Sequence, residues 1–338
     1  YPQTTDTSES AWVYVSHIYA KAGTYTMKGK TTLSFRRPIW GASASPNVSV
    51  REVLTKVLQC PKYTGDGSNV TYSPIIFPAS MFQNCSNLIY LDISNLSKDC
   101  VNFAYLCSGC TKLETFIWGG EFIGSSFNFN NAFSNCYLLK FDTMEMPTFT
   151  NATSINVANN FFYNCGRDIV INDDEEYVLD LSAMFPNKNL EYVNLGGTFA
   201  GCGFTKIILP ECSQTKSFMD GRNTFSQCPN LKYLDLNGAI FKHRDFRNAF
   251  YNNPVLETID LTGVKFTAIQ YLGGMFAGNP SLKNIIVAEG EYIDLTDVYD
   301  TSAPPEPDQS FRNCSSLTDL SMFKMYANNN RWNSTFYG

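Results

Sequence analysis

Residues 224–238 read TFSQCPNLKYLDLNG. Phe225, Leu231, Leu234 and Leu236 are apolar, they straddle the polar stretch SQCPN, and the phrase closes on Asn237-Gly238, a pair that lets a chain turn sharply. The ending L-x-x-L-x-L alternates with period two, which predicts a short strand with one buried face. Phe225, just before the polar stretch, is expected to end a short helix or 3₁₀ segment and to fill the interior with its ring.

The phrase recurs. Copies begin at Met81 (MFQNCSNLIYLDIS), Leu106 (LCSGCTKLETFIWG), Ala132 (AFSNCYLLKF), Phe161 (FFYNCGRDIVI), Met184 (MFPNKNLEYVNLGG), Thr198 (TFAGCGFTKIIL), Ala249 (AFYNNPVLETIDLTG), Met275 (MFAGNPSLKNIIV) and Ser310 (SFRNCSSLTDLSM). The second motif position falls at Phe82, Cys107, Phe133, Phe162, Phe185, Phe199, Phe225, Phe250, Phe276 and Phe311, in steps of 25, 26, 29, 23, 14, 26, 25, 26 and 35. A unit this small cannot bury its own apolar face, so a period near 25 predicts a solenoid in which each coil stacks on its neighbours. The step of 14 marks either a compressed coil or a motif copy assigned wrongly. The step of 35 holds SAPPEPDQ (302–309), expected to bulge out as a loop.

These MFxNCxxLxxLDLS units resemble the BspA-like leucine-rich repeats of bacterial surface proteins, over roughly residues 50–338. The resemblance implies an α/β repeat, a right-handed leucine-rich-repeat solenoid with short strands on its concave face, exposed on a cell surface and used for attachment. It implies no particular ligand.

Outside the array, residues 1–49 are expected to form a small β-rich cap or accessory module, because 11–37 alternate apolar and polar residues with Gly23 and Gly29 at turns. VREVLTKVLQCP (50–61) reads as helical and as a degenerate first coil, with Leu58 at the Phe slot. The chain opens on Tyr1 without an initiator Met or an apolar signal stretch, which reads as a mature or trimmed form. It stops at NSTFYG, where Phe336 would begin another copy, so the native chain is expected to continue or to end in a frayed half-repeat.

Composition bounds the chemistry. A net charge of -6 and no basic run argue against nucleic acid or an anionic membrane as the main partner. No apolar stretch approaches the roughly 20 residues of a bilayer span. Seven of the eleven cysteines, Cys85, Cys110, Cys136, Cys165, Cys202, Cys228 and Cys314, share the slot three residues after the Phe position. Asn253 and Asn279 occupy it elsewhere, so it should hold a small, partly polar group that reaches the backbone of the adjoining coil. The expected state is a ladder of buried free thiols. Cys107-x-x-Cys110 lacks the second pair of a zinc site. A disulfide involving Cys60, Cys100 or Cys212 stays open.

The two histidines, His17 and His243, lie in no nucleophile motif, and no phosphate-binding or zinc-protease motif occurs. The acidic runs at 173–176 and 289–300 do not follow a calcium-loop pattern. No cofactor and no enzymatic activity are expected. The strand pattern instead turns Tyr90, Asp92, Thr115, Ile117, Tyr192, Asn194, Tyr233, Asp235, Thr258, Asp260, Asp319 and Ser321 outward, lined into two columns by coils about 4.8 Å apart. Of these, Tyr90, Asp92, Thr115, Tyr192, Asn194, Tyr233, Asp235, Thr258 and Asp260 are the candidate ligand-binding residues, facing an extracellular protein or glycan. The expected protein is therefore a secreted or cell-surface adhesion protein. The rival expectation is a structural spacer whose binding element is the N-terminal β region.

Overall fold

The computed structural model describes residues 56–57, 79–140, 146–157, 159–172, 174–187, 190–192, 196–211, 221–242, 245–266, 271–294 and 309–324. All of them lie within one compact unit, Arg36–Gly338. The expected module at 1–49, the loop at 302–308, the chain end, both histidines, Cys60, Cys212 and Asn194 lie outside the described residues.

The coils stack as expected, and each contributes a short strand to one side of the array. Lys56–Val57, Tyr90–Asp92 and Thr115–Ile117 form one parallel sheet. Val178–Asp180, Lys206–Ile208, Tyr233–Asp235, Thr258–Asp260 and Asn284–Ile286 form a second, five-stranded one. Each strand buries its middle residue and leaves its first and third at the surface, as the period-two pattern requires. Leu88, Leu231 and Leu256 belong to one continuous apolar interior, the spine on which the stacking reading stood.

The strands end at corners set by short acidic side chains. Oδ1 of Asp92, Asp235 and Asp260 accepts the backbone N–H two residues on, from Ser94, Asn237 and Thr262, at 2.8–2.9 Å. Such an Asx turn satisfies a donor that the parallel ladder leaves behind. Beyond the corner a second parallel ladder forms from Ser126–Asn128, Ser154–Val157 and Glu191–Tyr192, and further on from Ile240–Phe241 with Lys265–Phe266.

The segment around each motif Phe is where the structure departs from expectation. It is not helical: among the described residues the one α-helix is the four-residue Leu181–Met184. Instead the residues two before and two after the Phe position both take positive φ, as in Asn131 and Asn135, Asn160 and Asn164, Gly197 and Gly201, and Asn223 and Gln227. Nine such pairs occur, from Ser80 and Asn84 to Gln309 and Asn313. Gly and Asn reach this left-handed region at the lowest steric cost, which is why they dominate the two slots.

With left-handed residues four apart, every second peptide group of the turn points the same way, across to the next coil, while those between close i→i−3 bonds within the coil. Phe82 N–H donates to Leu106 O, Cys107 to Ala132, Phe133 to Phe161, Phe162 to Thr198, Phe199 to Thr224, Phe225 to Ala249 and Phe250 to Met275, all at 2.8–2.9 Å. Every one of these bonds runs from a coil to the next one in sequence. On the strand side the bonds run both ways, with Glu114 N–H donating to Ile89 O and Ile93 N–H to Ile117 O. The motif rings stack inside this turn ladder. Phe199, Phe225, Phe250, Phe276 and Phe311 follow one another with centroids 5.1–5.7 Å apart and planes within 14° of parallel.

Two sequence assignments are corrected. Phe185 is not a turn-ladder position: it caps the short helix, and Met184 O accepts from Phe149 N–H on the second side. The coil from Phe162 to Phe199 is therefore one long turn of the array, and the copy at Met184 was assigned wrongly. Likewise Lys56–Val57 is a strand, with Lys56 opposite Tyr90, and not part of a helix. The expectation that Leu58 holds the Phe slot lies outside the described residues.

Candidate functional site

The outward columns are real on the five-stranded sheet, but their membership differs from the sequence reading. Opposite Tyr233 lie Lys206 on one side and Thr258 on the other, continuing to Val178 and Asn284. Opposite Asp235 lie Ile208 and Asp260, continuing to Asp180 and Ile286. Tyr233, Asp235, Thr258 and Asp260 thus come together. Tyr90, Asp92, Thr115 and Ile117 form the same arrangement on the other sheet.

Tyr192 does not join them. It pairs with Ile155 in the Ser126–Asn128 ladder, on the second side of the coil, because its motif copy was misassigned. Asp319 and Ser321 stand outside any strand, and Asp319 spends Oδ1 on Ser321 N–H. Lys206 and Ile208 were missed. In that coil the first outward position comes four positions after Cys202, against five from Cys228 to Tyr233, so counting from the motif alone skips the strand.

The centre of the face is a small polar and aromatic cluster. The Tyr233 hydroxyl donates to Asp260 Oδ2 at 3.2 Å, while Asp260 Oδ1 holds the Thr262 corner. Lys206 Nζ lies 4.9 Å from the Tyr233 ring centroid, within cation–π range. Partial burial, then the charges of Asp260 and Asp235, push the Tyr233 phenol up to about 12, so it stays a neutral donor at physiological pH. Asp260 therefore has two duties: Oδ1 shapes the corner and Oδ2 accepts the Tyr233 hydroxyl. Lys283 and Glu257, on the neighbouring column, pair at 3.3 Å with both side chains more than half exposed, which is worth little in stability.

The cysteine slot has no such outward role. All nine described cysteines are buried, with no disulfide among them. Cys110 Sγ donates to Phe82 O at 3.0 Å, Cys136 to Cys107 O at 3.1 Å and Cys228 to Phe199 O at 3.1 Å. Asn279 does the same with its amide, reaching Phe250 O at 2.7 Å. Burial pushes the Cys100 thiol up to about 12 and the Cys165 thiol well above its ordinary value. These groups are packing and backbone-satisfying elements and not nucleophiles. No group of three or more His, Cys, Asp or Glu side chains among the described residues could hold a metal ion. No helix among them is long and apolar enough to cross a membrane.

Fold and face together define a class: a repeat protein built as a parallel β-solenoid, with a strand-lined polar face. Comparison with family models and with curated proteins gives no match. Among solved structures the chain is similar to a leucine rich cell surface protein from Faecalibacterium prausnitzii. The identity is 16% over 77% of this chain and 79% of that one, with a TM-score of 0.29.

Proposed function

We propose that the protein is a BspA-like leucine-rich-repeat solenoid of the cell surface or secreted space that acts by adhesion, without catalysis, through its strand-lined face. The ligand on this reading is an extracellular protein or glycan. The observation that carries it is the in-register cluster of Lys206, Tyr233, Asp235, Thr258 and Asp260 on three consecutive strands. A rigid sheet presents tyrosine, a rigid and amphipathic contact residue, beside outward carboxylates and one cation. Solenoids commonly bind along such a continuous surface, which no single coil could provide. Right-handed winding belongs to the same proposal, since strand, crossover and parallel strand in one sheet nearly always connect with that hand.

The test is capture of the protein on arrays of immobilised extracellular-matrix proteins and glycans. It is repeated with Tyr233→Ala, Lys206→Ala and Asp260→Asn, the last chosen because Asn can still hold the corner. Binding that survives all three substitutions unchanged would remove the strand face from the proposal. Binding lost only on deleting residues 1–45 would favour the spacer reading.

A further inference from the structure

The turn side of the array holds a groove of about 510 Å³ that the strand-face reading does not use. Its origin lies in the sequence of three successive coils. The middle coil contributes Gly196, Gly197, Ala200 and Gly201, which have almost no side chain. The coils on either side contribute Asn159, Asn160 and Tyr163, and Asn223, Ser226 and Gln227. A trough therefore runs between two polar walls, with the Asn160 and Asn164 side chains leaning over Gly197 and Gly201. Its volume falls in the range of small-ligand sites.

Three features of the walls point to a ligand. The side-chain amides of Asn160, Asn223 and Gln227 have no hydrogen-bond partner in the protein among the described residues. Asn159 Oδ1 is buried and also lacks a partner, a condition that costs free energy and that native structures seldom leave standing. Tyr163 stands beside them with 37% of its surface exposed. Arg222 is the one charged residue in the lining.

We propose that this groove binds a neutral oligosaccharide. Each side-chain amide offers two donors and an acceptor, the set that matches neighbouring sugar hydroxyls, which donate and accept alike. The repeat places such amides on walls two coils apart, roughly 10 Å at the usual strand spacing, a separation that one sugar ring spans. The Tyr163 ring supplies the apolar surface against which the C–H face of a sugar packs. A peptide is the poorer fit, because the trough floor of glycines and one alanine has no apolar pocket for a side chain.

The experiment titrates the folded protein with short neutral oligosaccharides of the gluco-, manno-, galacto- and N-acetylglucosamine series, read by saturation-transfer NMR and calorimetry. At least one series is expected to bind. Tyr163→Ala and Asn223→Gly should each weaken it about tenfold, roughly the loss of one good contact. Gly occupies the same slot as Asn223 in other coils, so that variant keeps its backbone. Tyr251→Ala, at the tyrosine slot but outside the groove, and Lys206→Ala, on the strand face, should leave the affinity unchanged. No binding by any neutral series, equal loss in Tyr251→Ala, or binding confined to acidic polymers or peptides overturns the proposal. A failure of the strand-face adhesion reading would leave this result untouched.

Discussion

Cys110 Sγ lies 3.0 Å from the carbonyl oxygen of Phe82, a residue 28 positions earlier in the chain and one coil away. The bond explains why one slot accepts cysteine seven times and asparagine twice: Cys110, Cys136, Cys228, Cys314 and Asn279 donate to the motif carbonyl of the preceding coil, Asn253 donates to Phe250 O in its own, and both residue types fit a small buried volume. Cys314, whose thiol donates to Phe276 O at 2.9 Å, follows two coils that carry Asn. Cys314→Asn is therefore expected to leave stability within about 1 kcal/mol, whereas Cys314→Ala should cost about 1–2 kcal/mol through the unmet carbonyl and lost volume. Chemical denaturation of the two variants checks the order.

Thiol labelling gives a second prediction. The nine described cysteines are buried and their thiols are held protonated by desolvation where a shift is resolved, as at Cys100, Cys107, Cys136, Cys165, Cys202 and Cys314. At pH 8 an alkylating reagent should leave all nine unmodified in the folded protein and modify them on unfolding. Mass-spectrometric mapping reads this directly, and rapid native labelling of Cys136 or Cys165 would contradict it.

The left-handed slots predict a third outcome. Gly201 sits at φ +68°, and a Cβ there would collide with the Asn164 side chain. Gly201→Ala should therefore destabilise by roughly 1–3 kcal/mol, from backbone strain and from displacement of Asn164. Asn252→Gly, which removes a side chain from an equivalent left-handed slot, should cost less. Thermal melts of the pair decide the comparison.

Acid sensitivity has an identifiable contributor. Asp245 is gripped by Arg247, with Nε to Oδ1 at 2.9 Å and Nη2 to Oδ2 at 2.6 Å. Burial alone would raise its pKa, but these hydrogen bonds and the Arg247 charge outweigh it and hold the carboxyl below its ordinary value. A depressed folded-state pKa stabilises fully above about pH 4 and loses that contribution as the pH falls through the folded value. Asp245→Asn should thus lower the melting temperature near neutrality and flatten its decline between about pH 5 and 3. An unaltered slope would show that the pair adds nothing.

The motif ring stack supplies the last prediction. Phe250 lies between Phe225 and Phe276 at 5.7 and 5.2 Å. Phe250→Ala should cost about 3–5 kcal/mol. Because each coil contacts only its neighbours, the loss should centre on the flanking coils, visible as faster amide exchange there than at Phe82.

Stacking, the strand positions and the buried cysteine slot were legible because they follow from spacing and from which residues alternate. Leu234 and Leu236, alternating with Tyr233 and Asp235, carry a period of two that a helix cannot use. The turn segment was not legible as a helix or strand because it is neither: its signal is the exchange of Asn and Gly at slots two before and two after Phe, a mark of left-handed backbone instead of propensity. The face was read in part. Tyr233, Asp235, Thr258 and Asp260 follow regular coils, whereas Tyr192 was drawn in by Phe185, which resembles the motif but caps a short helix. Lys206 was missed through one deleted residue.

The single direction of the turn-side hydrogen bonds has an electrical consequence. Each peptide unit carries a dipole of about 3.5 D, and along this side those dipoles add from coil to coil instead of cancelling as they do between strands. The array is thus a polarised rod on one flank, its amide-hydrogen pole toward the later coils and its oxygen pole toward the earlier ones. Two such flanks attract head to tail and repel when like poles meet.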